Sequence, residues 1–314
     1  MRPLFVGGCE RSGTTMLGAM LGASRRCITV PESQFIEHQF ERVGFDPGAL
    51  NPREVLAGII ADERYRLLWQ MPLQPEDVRP EQVGTTYPRL LTWLVREYAR
   101  TRDKPSAEVW VDHSPNNFRR ALTLLRLFPE ARFIHLVRDG RAVAASLLPL
   151  DWGPNNTLHA AEYWMARTAA GLLAESELGA ERVLRVTYEE LVAQPELAMQ
   201  RLCSFAGLNY EPGMAAGAGE PVGRYHERQH QLVGQPPDRS RVDAWRRALT
   251  AREIEIFEAE AGDFLTLLGY EPVFGIRARP ASRFQVFQLR IADFARRAGN
   301  NLRRQRRARN AIVG

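Results

Sequence analysis

The chain has 314 residues, of which 45% are hydrophobic and 25% charged, the composition of an ordinary soluble globular protein with room for one large core or two smaller ones. Its three cysteines, Cys9, Cys27 and Cys203, form no CxxC pair, which argues against a disulfide framework or a cysteine zinc site and favours a reducing cytosol. The N-terminal segment has no long apolar run, so neither a signal peptide nor a membrane span is expected.

Short apolar runs alternate with helical patterns along the chain. In chain order, the predicted elements are a strand at Leu4–Val6, a helix at Thr14–Ala23, a strand at Arg26–Val30, helices at Pro52–Gln70 and Tyr87–Arg102, a strand at Val109–Val111, a helix at Asn117–Leu127, a strand at Phe133–Val137, helices at Arg141–Leu148 and Leu158–Leu178, a strand at Val183–Val186, and helices at Glu196–Ala206 and Ala251–Leu268. This order predicts a three-layer α/β fold, with a mostly parallel central sheet flanked by helices. The Gly- and Pro-rich segment Glu211–Ser240 is predicted to be a long loop.

The segment GCERSGTT, residues 8–15, directly follows the first predicted strand. Its spacing matches the phosphate-loop pattern G-x-x-x-x-G-K-[ST], except that Thr14 stands at the lysine position. Such a loop turns backbone N–H groups inward and ends at a helix N-terminus, and both features attract an anion. Arg11 places a cation inside the loop, whereas a nucleoside triphosphate needs the missing lysine and Mg²⁺. A tight turn without a ligand is the alternative.

A second motif, VRDGRAVAAS, begins at Val137 where the fourth predicted strand ends. Open α/β sheets bind ligands at the carboxyl ends of their strands. Arg138 would project from this edge, and the N–H donors of its planar guanidinium suit a phosphate. Ser146 lies two helical turns further on. A surface arginine and a helix-packing serine are the alternative.

The two motifs together resemble those of sulfotransferases that use 3′-phosphoadenosine 5′-phosphosulfate (PAPS). GCERSGTTMLGAMLG resembles their 5′-phosphosulfate-binding loop, and LVRDGRAVAASLL resembles their 3′-phosphate-binding strand and helix. VTYEELVAQPE and the late DRSRV segment resemble further nucleotide-binding parts, whereas VDHSPNN is a degenerate counterpart in which His113 receives no cofactor role. The resemblance runs from about Arg2 to Tyr270. It implies that PAPS contacts Arg11, Ser12, Gly13, Thr14, Thr15, Arg138, Ser146, Tyr188, Ser240 and Arg241.

The loop sequence R-S-G-T-T is most similar to that of the protein-tyrosine and carbohydrate branch of the family. In that branch a glutamate follows the loop by about twenty residues, and here Glu32 occupies this position after the strand-ending Pro31. The resemblance implies that Glu32 is the general base and that Arg11 contacts the bridging oxygen. Gln34 stands where this branch has a further arginine. An exposed loop carboxylate or a helix cap is the alternative for Glu32.

These motifs predict an enzyme that transfers a sulfuryl group from PAPS to a hydroxyl acceptor by in-line displacement and releases adenosine 3′,5′-bisphosphate, with no metal. The acceptor is expected to be a small molecule, a carbohydrate or a peptide. The alternatives are a phosphate-loop small-molecule kinase and a non-catalytic nucleotide-binding adaptor. His226 and His230 match the zinc-protease pattern H-E-x-x-H, but they lie between glycines and prolines without an apolar helical face, so a chance match is the preferred interpretation.

The net charge of +5 is distributed unevenly, because residues 275–314 carry +10 and the rest of the chain carries −5. The prediction is therefore a sulfotransferase domain over residues 1–272 and a basic amphipathic helix or tail over residues 273–314. One face of that helix carries Phe284, Phe287, Ile291 and Phe294. It is expected either to meet an anionic membrane or a protein partner, or to pack back on the domain; nucleic acid is not an expected partner. The chain is expected to be cytoplasmic, with membrane-peripheral binding as the open alternative.

Overall fold

The computed structural model describes residues 1–43, 50–217, 235–296 and 299. The H-E-x-x-H segment and most of the predicted loop Glu211–Ser240 lie outside these residues. In chain order, the strands and helices are β1 Arg2–Gly8, α1 Thr14–Gly22, β2 Cys27–Val30, α2 Phe35–Val43, α3 Pro52–Ala61, α4 Pro80–Val83, α5 Tyr87–Thr101, β3 Val109–Asp112, α6 Ala121–Leu127, β4 Arg132–Val137, α7 Gly140–Leu147, α8 Thr157–Leu178, β5 Val183–Thr187, α9 Tyr188–Ala193, α10 Pro195–Ala206, α11 Pro212–Ala215, α12 Trp245–Ala248 and α13 Ala251–Leu267. A further helix, residues 283–296, is called the C-terminal helix.

The five strands form one parallel sheet in the order β2-β3-β1-β4-β5. All five predicted strands are present, and the predicted α/β fold with a central parallel sheet is confirmed. The chain runs from β1 to one side of the sheet and later crosses to the other, so β1 lies at the point where the strand order reverses. Ligands of open α/β sheets bind at the carboxyl ends of strands at such a point.

Each sheet face is covered by its own hydrophobic core, as side-chain alternation along the strands requires. On one face, the aromatic rings of Phe5, Trp110 and Phe133 pack with α5 and α6. On the other face, Leu4 and Val6 pack with apolar residues of α1 and α10. A parallel sheet buried on both faces holds its strand ends rigidly, which is what a site built at those ends needs.

The predicted helix Pro52–Gln70 is wrong in its second half. Helix α3 ends at Ala61 because Asp62 adopts an extended conformation and its carboxylate accepts hydrogen bonds from the backbone N–H groups of Arg64 and Tyr65. A single wide π-helical turn, Tyr65–Trp69, follows. An aspartate that binds nearby backbone N–H groups competes with helix continuation. This break places Arg64 at the start of a new turn.

The chain divides into two compact units, one of residues 1–137 and 170–238 and the other of residues 138–169 and 239–314. The first contains the sheet, and the second contains α7, α12, α13 and the C-terminal helix. The predicted domain boundary after residue 272 stays a prediction. No helix in the described part of the chain is long and apolar enough to cross a membrane.

Candidate active site

The predicted functional residues follow the carboxyl ends of the five parallel strands. Residues Cys9, Pro31, His113, Arg138 and Tyr188 are the first residues beyond β1, β2, β3, β4 and β5, respectively. Since all strands run in the same direction, the chain leaves the sheet at one edge each time. The topology therefore explains why the segments that follow the five strands all begin at one edge of the sheet.

The loop after β1 has a backbone that few sequences can adopt. A Cβ atom on Gly8 would collide with the carbonyl oxygen of Leu136 in β4, so this position requires glycine. Gly13 caps α1 with a φ of 102°, and Arg11 also has a positive φ of 71°, which is unusual for a residue with a side chain. Such a strained residue is a recurrent mark of a ligand-binding site.

The same loop presents donors that an anion would satisfy. Helix α1 begins at Thr14, and the first N–H groups of an α-helix have no acceptor within the helix. Gly13 provides no side chain to cap them. The hydroxyl of Ser12 is fully buried and has no hydrogen-bond partner among the described residues. A buried polar atom of this kind needs a ligand or water to avoid a desolvation penalty.

Tyr188 lies directly against this loop. A Cβ atom on Gly13 would be 2.9 Å from the Tyr188 ring, so glycine allows the ring to approach the start of α1. The side chains of Thr187 and Glu190 form a capping box that starts α9 and fixes the position of Tyr188. The structure thus brings Tyr188 together with the predicted phosphosulfate loop.

Glu32 is largely buried, with its side chain 16% exposed. Burial raises the pKa of Glu32 from 4.5 to about 7; Arg64 opposes this shift, and the negative charges of Asp112 and Glu10 add to it. The Arg64 guanidinium lies 3.7 Å from the Glu32 carboxylate, and the Gln34 amide lies 3.5 Å from it. A carboxylate near its pKa at neutral pH is suited to exchanging protons with a substrate.

Arg64 was missed by sequence reasoning. Its position depends on the backbone break at Asp62 and on three aromatic rings that join its segment to the Glu32 segment: Phe35 packs edge-on against Tyr65 at 5.7 Å and against Trp69 at 5.5 Å. The helical spacing of apolar residues over Pro52–Gln70 predicts one continuous helix, and it therefore indicates neither the break nor this aromatic packing. A cation from a different segment thus lies beside Glu32, whereas Gln34, two residues after Glu32, is neutral.

Asp112, the last residue of β3, and His113, the residue after it, have different surroundings. The Asp112 carboxylate accepts hydrogen bonds from the backbone N–H of Ser114 at 2.7 Å and from the Asn117 amide at 3.3 Å. His113 is buried against α1, and burial lowers its pKa although Asp112 opposes the shift. The Ser114 hydroxyl also accepts a hydrogen bond, at 3.0 Å, from the backbone N–H of Ser33, the residue after Glu32. This segment therefore supports the Glu32 loop.

In the second compact unit, the Arg138 side chain donates a hydrogen bond to the carbonyl oxygen of Arg241 at 3.1 Å. The Trp164 indole donates to the Arg138 carbonyl oxygen, also at 3.1 Å, and fixes the turn after β4. Ser146 is half-buried on α7, and Ser240 is exposed in the same 3₁₀ turn as Arg241. The structure therefore brings together the second motif and the late segment that sequence reasoning had assigned to one nucleotide end.

Arg141, in the same motif, has a structural role. It is 2% exposed, lies between Asp139 at 2.8 Å and Glu258 at 2.6 Å, and stacks over the Trp245 ring at 4.1 Å. Burial alone would lower the Arg141 pKa, but the hydrogen bonds that Arg141 donates to both carboxylates outweigh burial and raise it. The two arginines of the motif thus have different surroundings although they are three residues apart.

The loop after the central strand β1 thus has the geometry that suits an anion, and Glu32, a buried carboxylate, follows the edge strand β2. A family model described as "Sulfotransferase family" matches residues 3–212, and the chain belongs to this family. This confirms the predicted family and the class of enzyme. No group of three or more His, Cys, Asp or Glu side chains in the described residues is arranged to hold a metal ion.

Individual relatives agree with this family. The chain is 23% identical over 286 residues to a protein-tyrosine sulfotransferase of Drosophila melanogaster, with 86% of this chain and 52% of that protein covered. It is 25% identical to protein-tyrosine sulfotransferase 2 of Gallus gallus, with 86% and 69% covered. It thus spans about half of the fly protein. The fold is similar to that of a sulfotransferase domain from the curacin biosynthetic pathway, with a TM-score of 0.57, 17% identity, and 86% of this chain and 99% of that domain covered.

Proposed function

We propose that the chain transfers the sulfuryl group of PAPS to an acceptor hydroxyl, with Glu32 as general base and Arg11 as the cation that stabilises the transition state. The observation that carries this proposal is Glu32, a buried carboxylate at the strand edge with its pKa raised to about 7. Such a group is partly ionised at neutral pH and still basic enough to accept a proton.

The loop after β1 fits the sulfate end of this donor. Arg11 lies in the loop that leads into α1, and the Ser12 hydroxyl is buried in the same loop without a partner among the described residues. We propose that Ser12, Gly13, Thr14 and Thr15 hold the 5′-phosphosulfate and that Tyr188 stacks near the nucleotide. Arg138, Ser146, Ser240 and Arg241 are proposed to hold the 3′-phosphate end, where Arg138 supplies a bidentate donor.

The reaction then needs one proton transfer and one charge stabilisation. The acceptor oxygen forms a bond to sulfur while the bond from sulfur to the bridging phosphate oxygen breaks. Glu32 takes the acceptor proton, and Arg11 stabilises the negative charge that develops on the bridging oxygen, so that adenosine 3′,5′-bisphosphate leaves. Arg64 tunes Glu32 by favouring its ionised form.

The acceptor is proposed to be a hydroxyl group. Two relatives are named for protein tyrosine, whose side chain carries a phenolic hydroxyl. Gln34 beside Glu32 is neutral, and the nearby cation is Arg64 from a different segment. We therefore propose that this chain differs from those enzymes in how it contacts the groups that flank the acceptor hydroxyl.

The test is Glu32→Gln, which keeps the side-chain shape but removes the ability to accept a proton at neutral pH. We expect kcat to fall by about 10²–10⁴, measured with labelled PAPS and cell extract as the source of acceptor. The dissociation constant for adenosine 3′,5′-bisphosphate, measured by calorimetry, should stay within about two-fold. Turnover close to that of the unmodified chain would show that the base lies elsewhere. Glu63→Gln, an exposed carboxylate next to Arg64, is the matched control.

A further inference from the structure

The C-terminal helix, residues 283–296, is attached to its own compact unit through its polar side. Asp293 is buried, and its carboxylate accepts hydrogen bonds from the backbone N–H of Asn155 at 3.3 Å and from the Asn155 side-chain amide at 2.9 Å. The imidazole Nδ1 of His159 lies 3.3 Å from the same carboxylate. One turn from the start of the helix, Gln285 accepts a hydrogen bond from an arginine of α13 at 3.2 Å. Two polar side chains of the helix, Gln285 and Asp293, therefore attach it to its own unit.

Four large apolar side chains of the same helix point to solvent. Phe284, Phe287, Ile291 and Phe294 follow one another at intervals of three or four residues and are 68%, 62%, 53% and 76% exposed. The helix is therefore held on its own unit, as one of the two expectations had it, but these four side chains take no part in that packing. A row of three exposed phenylalanines and an isoleucine is larger than the scattered apolar residues of a soluble surface and marks an interaction site.

The charge around this face favours one kind of occupant. Residues 275–314 contain eleven arginines and one acid, and that acid is Asp293, which is already bound on the opposite side. Arg283 and Arg290 lie on the exposed helix itself. A second copy of the chain would bring another set of arginines against the first, which opposes self-association at low salt. An anionic lipid surface instead offers negative headgroups for the arginines and acyl chains for the apolar side chains.

We propose that the C-terminal helix is a docking surface for an anionic membrane. Phe284, Phe287, Ile291 and Phe294 enter the boundary between headgroups and acyl chains, and the arginines contact the headgroups. The helix lies in the plane of the surface, because its opposite side is held by Asp293 and Gln285. This proposal does not depend on the sulfotransferase mechanism, since neither Glu32 nor the loop after β1 takes part in it.

The test is co-sedimentation of the full chain with phosphatidylcholine vesicles that do or do not contain phosphatidylglycerol. We expect binding to the anionic vesicles and a loss of binding as salt is raised, because salt screens the arginine contacts. Phe287→Glu combined with Phe294→Glu should weaken the partition coefficient by roughly ten-fold or more. Replacing Arg303, Arg304, Arg306, Arg307 and Arg309 with glutamine should also weaken it by roughly ten-fold or more.

Leu197→Glu is the matched control, because Leu197 is similarly exposed, at 61%, on α10. It should bind anionic vesicles as the unmodified chain does, and both glutamate variants should keep their melting temperature, since Phe287, Phe294 and Leu197 are exposed. Absence of binding to anionic vesicles at low salt would overturn the proposal. Equal binding by the double glutamate variant would also overturn it. A stable dimer of the unmodified chain, seen by mass photometry and dissociated by the double glutamate variant, would overturn it as well.

Discussion

Glu32 and Glu258 are both buried glutamates, but their surroundings differ. The Glu258 side chain is fully buried and accepts hydrogen bonds from Arg141 at 2.6 Å and from the backbone N–H groups of Val273 and Phe274 at 2.9 and 2.7 Å. Glu32 has the Arg64 guanidinium at 3.7 Å and the Gln34 amide at 3.5 Å. Glu258 therefore holds structure together, whereas Glu32 is buried without full compensation.

The number of donors around each carboxylate is what we expect to distinguish a structural role, for Glu258, from a functional one, for Glu32. A buried charge is stable when donors satisfy it, and its removal leaves the partner charge unpaired. A carboxylate kept with few donors and near other carboxylates destabilises the fold, and such destabilisation persists at sites where it serves function. Three experiments test whether Glu32 and Glu258 differ in this way.

The largest expected effect is that of Glu258→Gln. The amide cannot compensate the Arg141 charge, and its NH₂ group would face backbone N–H donors. We expect the free energy of unfolding to fall by about 3–5 kcal/mol, measured by urea denaturation. Glu260→Gln, exposed on the same helix, should change it by less than about 0.5 kcal/mol. A loss from Glu258→Gln as small as that of the control would contradict a structural role.

Glu32→Gln should change the free energy of unfolding in the opposite direction. Between pH 4.5 and about 7 the folded chain keeps a proton on Glu32 that the unfolded chain has released, so stability falls as pH rises through this window. Glutamine cannot ionise, so the variant avoids this loss. We expect it to be more stable than the unmodified chain by about 1–3 kcal/mol at pH 8 and equally stable at pH 4, measured by denaturation at both pH values. Lower stability of the variant at pH 8 would contradict the raised pKa.

Sequence patterns predicted the strands of the sheet and the loop after β1, because both depend on residues that are close together in the sequence. Buried strands read as apolar runs, and the glycines at positions 8 and 13 are required by the backbone that they adopt. The patterns could not distinguish Arg138 from Arg141, since only tertiary contacts with Glu258 and Trp245 make Arg141 structural.

They also could not find the Glu32–Arg64 contact. The two residues are 32 positions apart in the sequence. Their contact depends on the break after α3 and on packing around Phe35, two features that helical periodicity conceals.

The smallest effect, and the sharpest probe of the site, is expected from Arg64→Gln. The Arg64 charge favours the ionised form of Glu32, so its removal should raise the Glu32 pKa. A base must be ionised to act, and the acidic limb of the pH profile of kcat/KM should therefore move to higher pH. Because Arg64 is 47% exposed and solvent weakens its effect, we expect a shift of about half to one pH unit.

The rate at high pH should change little, which separates tuning of the base from direct contact with the substrate. Arg64→Lys should restore most of the profile, since it returns a positive charge to the same position. Arg66→Gln, exposed in the same turn, should leave the profile in place. An acidic limb that stays in place in Arg64→Gln, or moves to lower pH, would show that Arg64 does not act through Glu32. In that case Glu32 would owe its behaviour to burial and to the carboxylates of Asp112 and Glu10 alone.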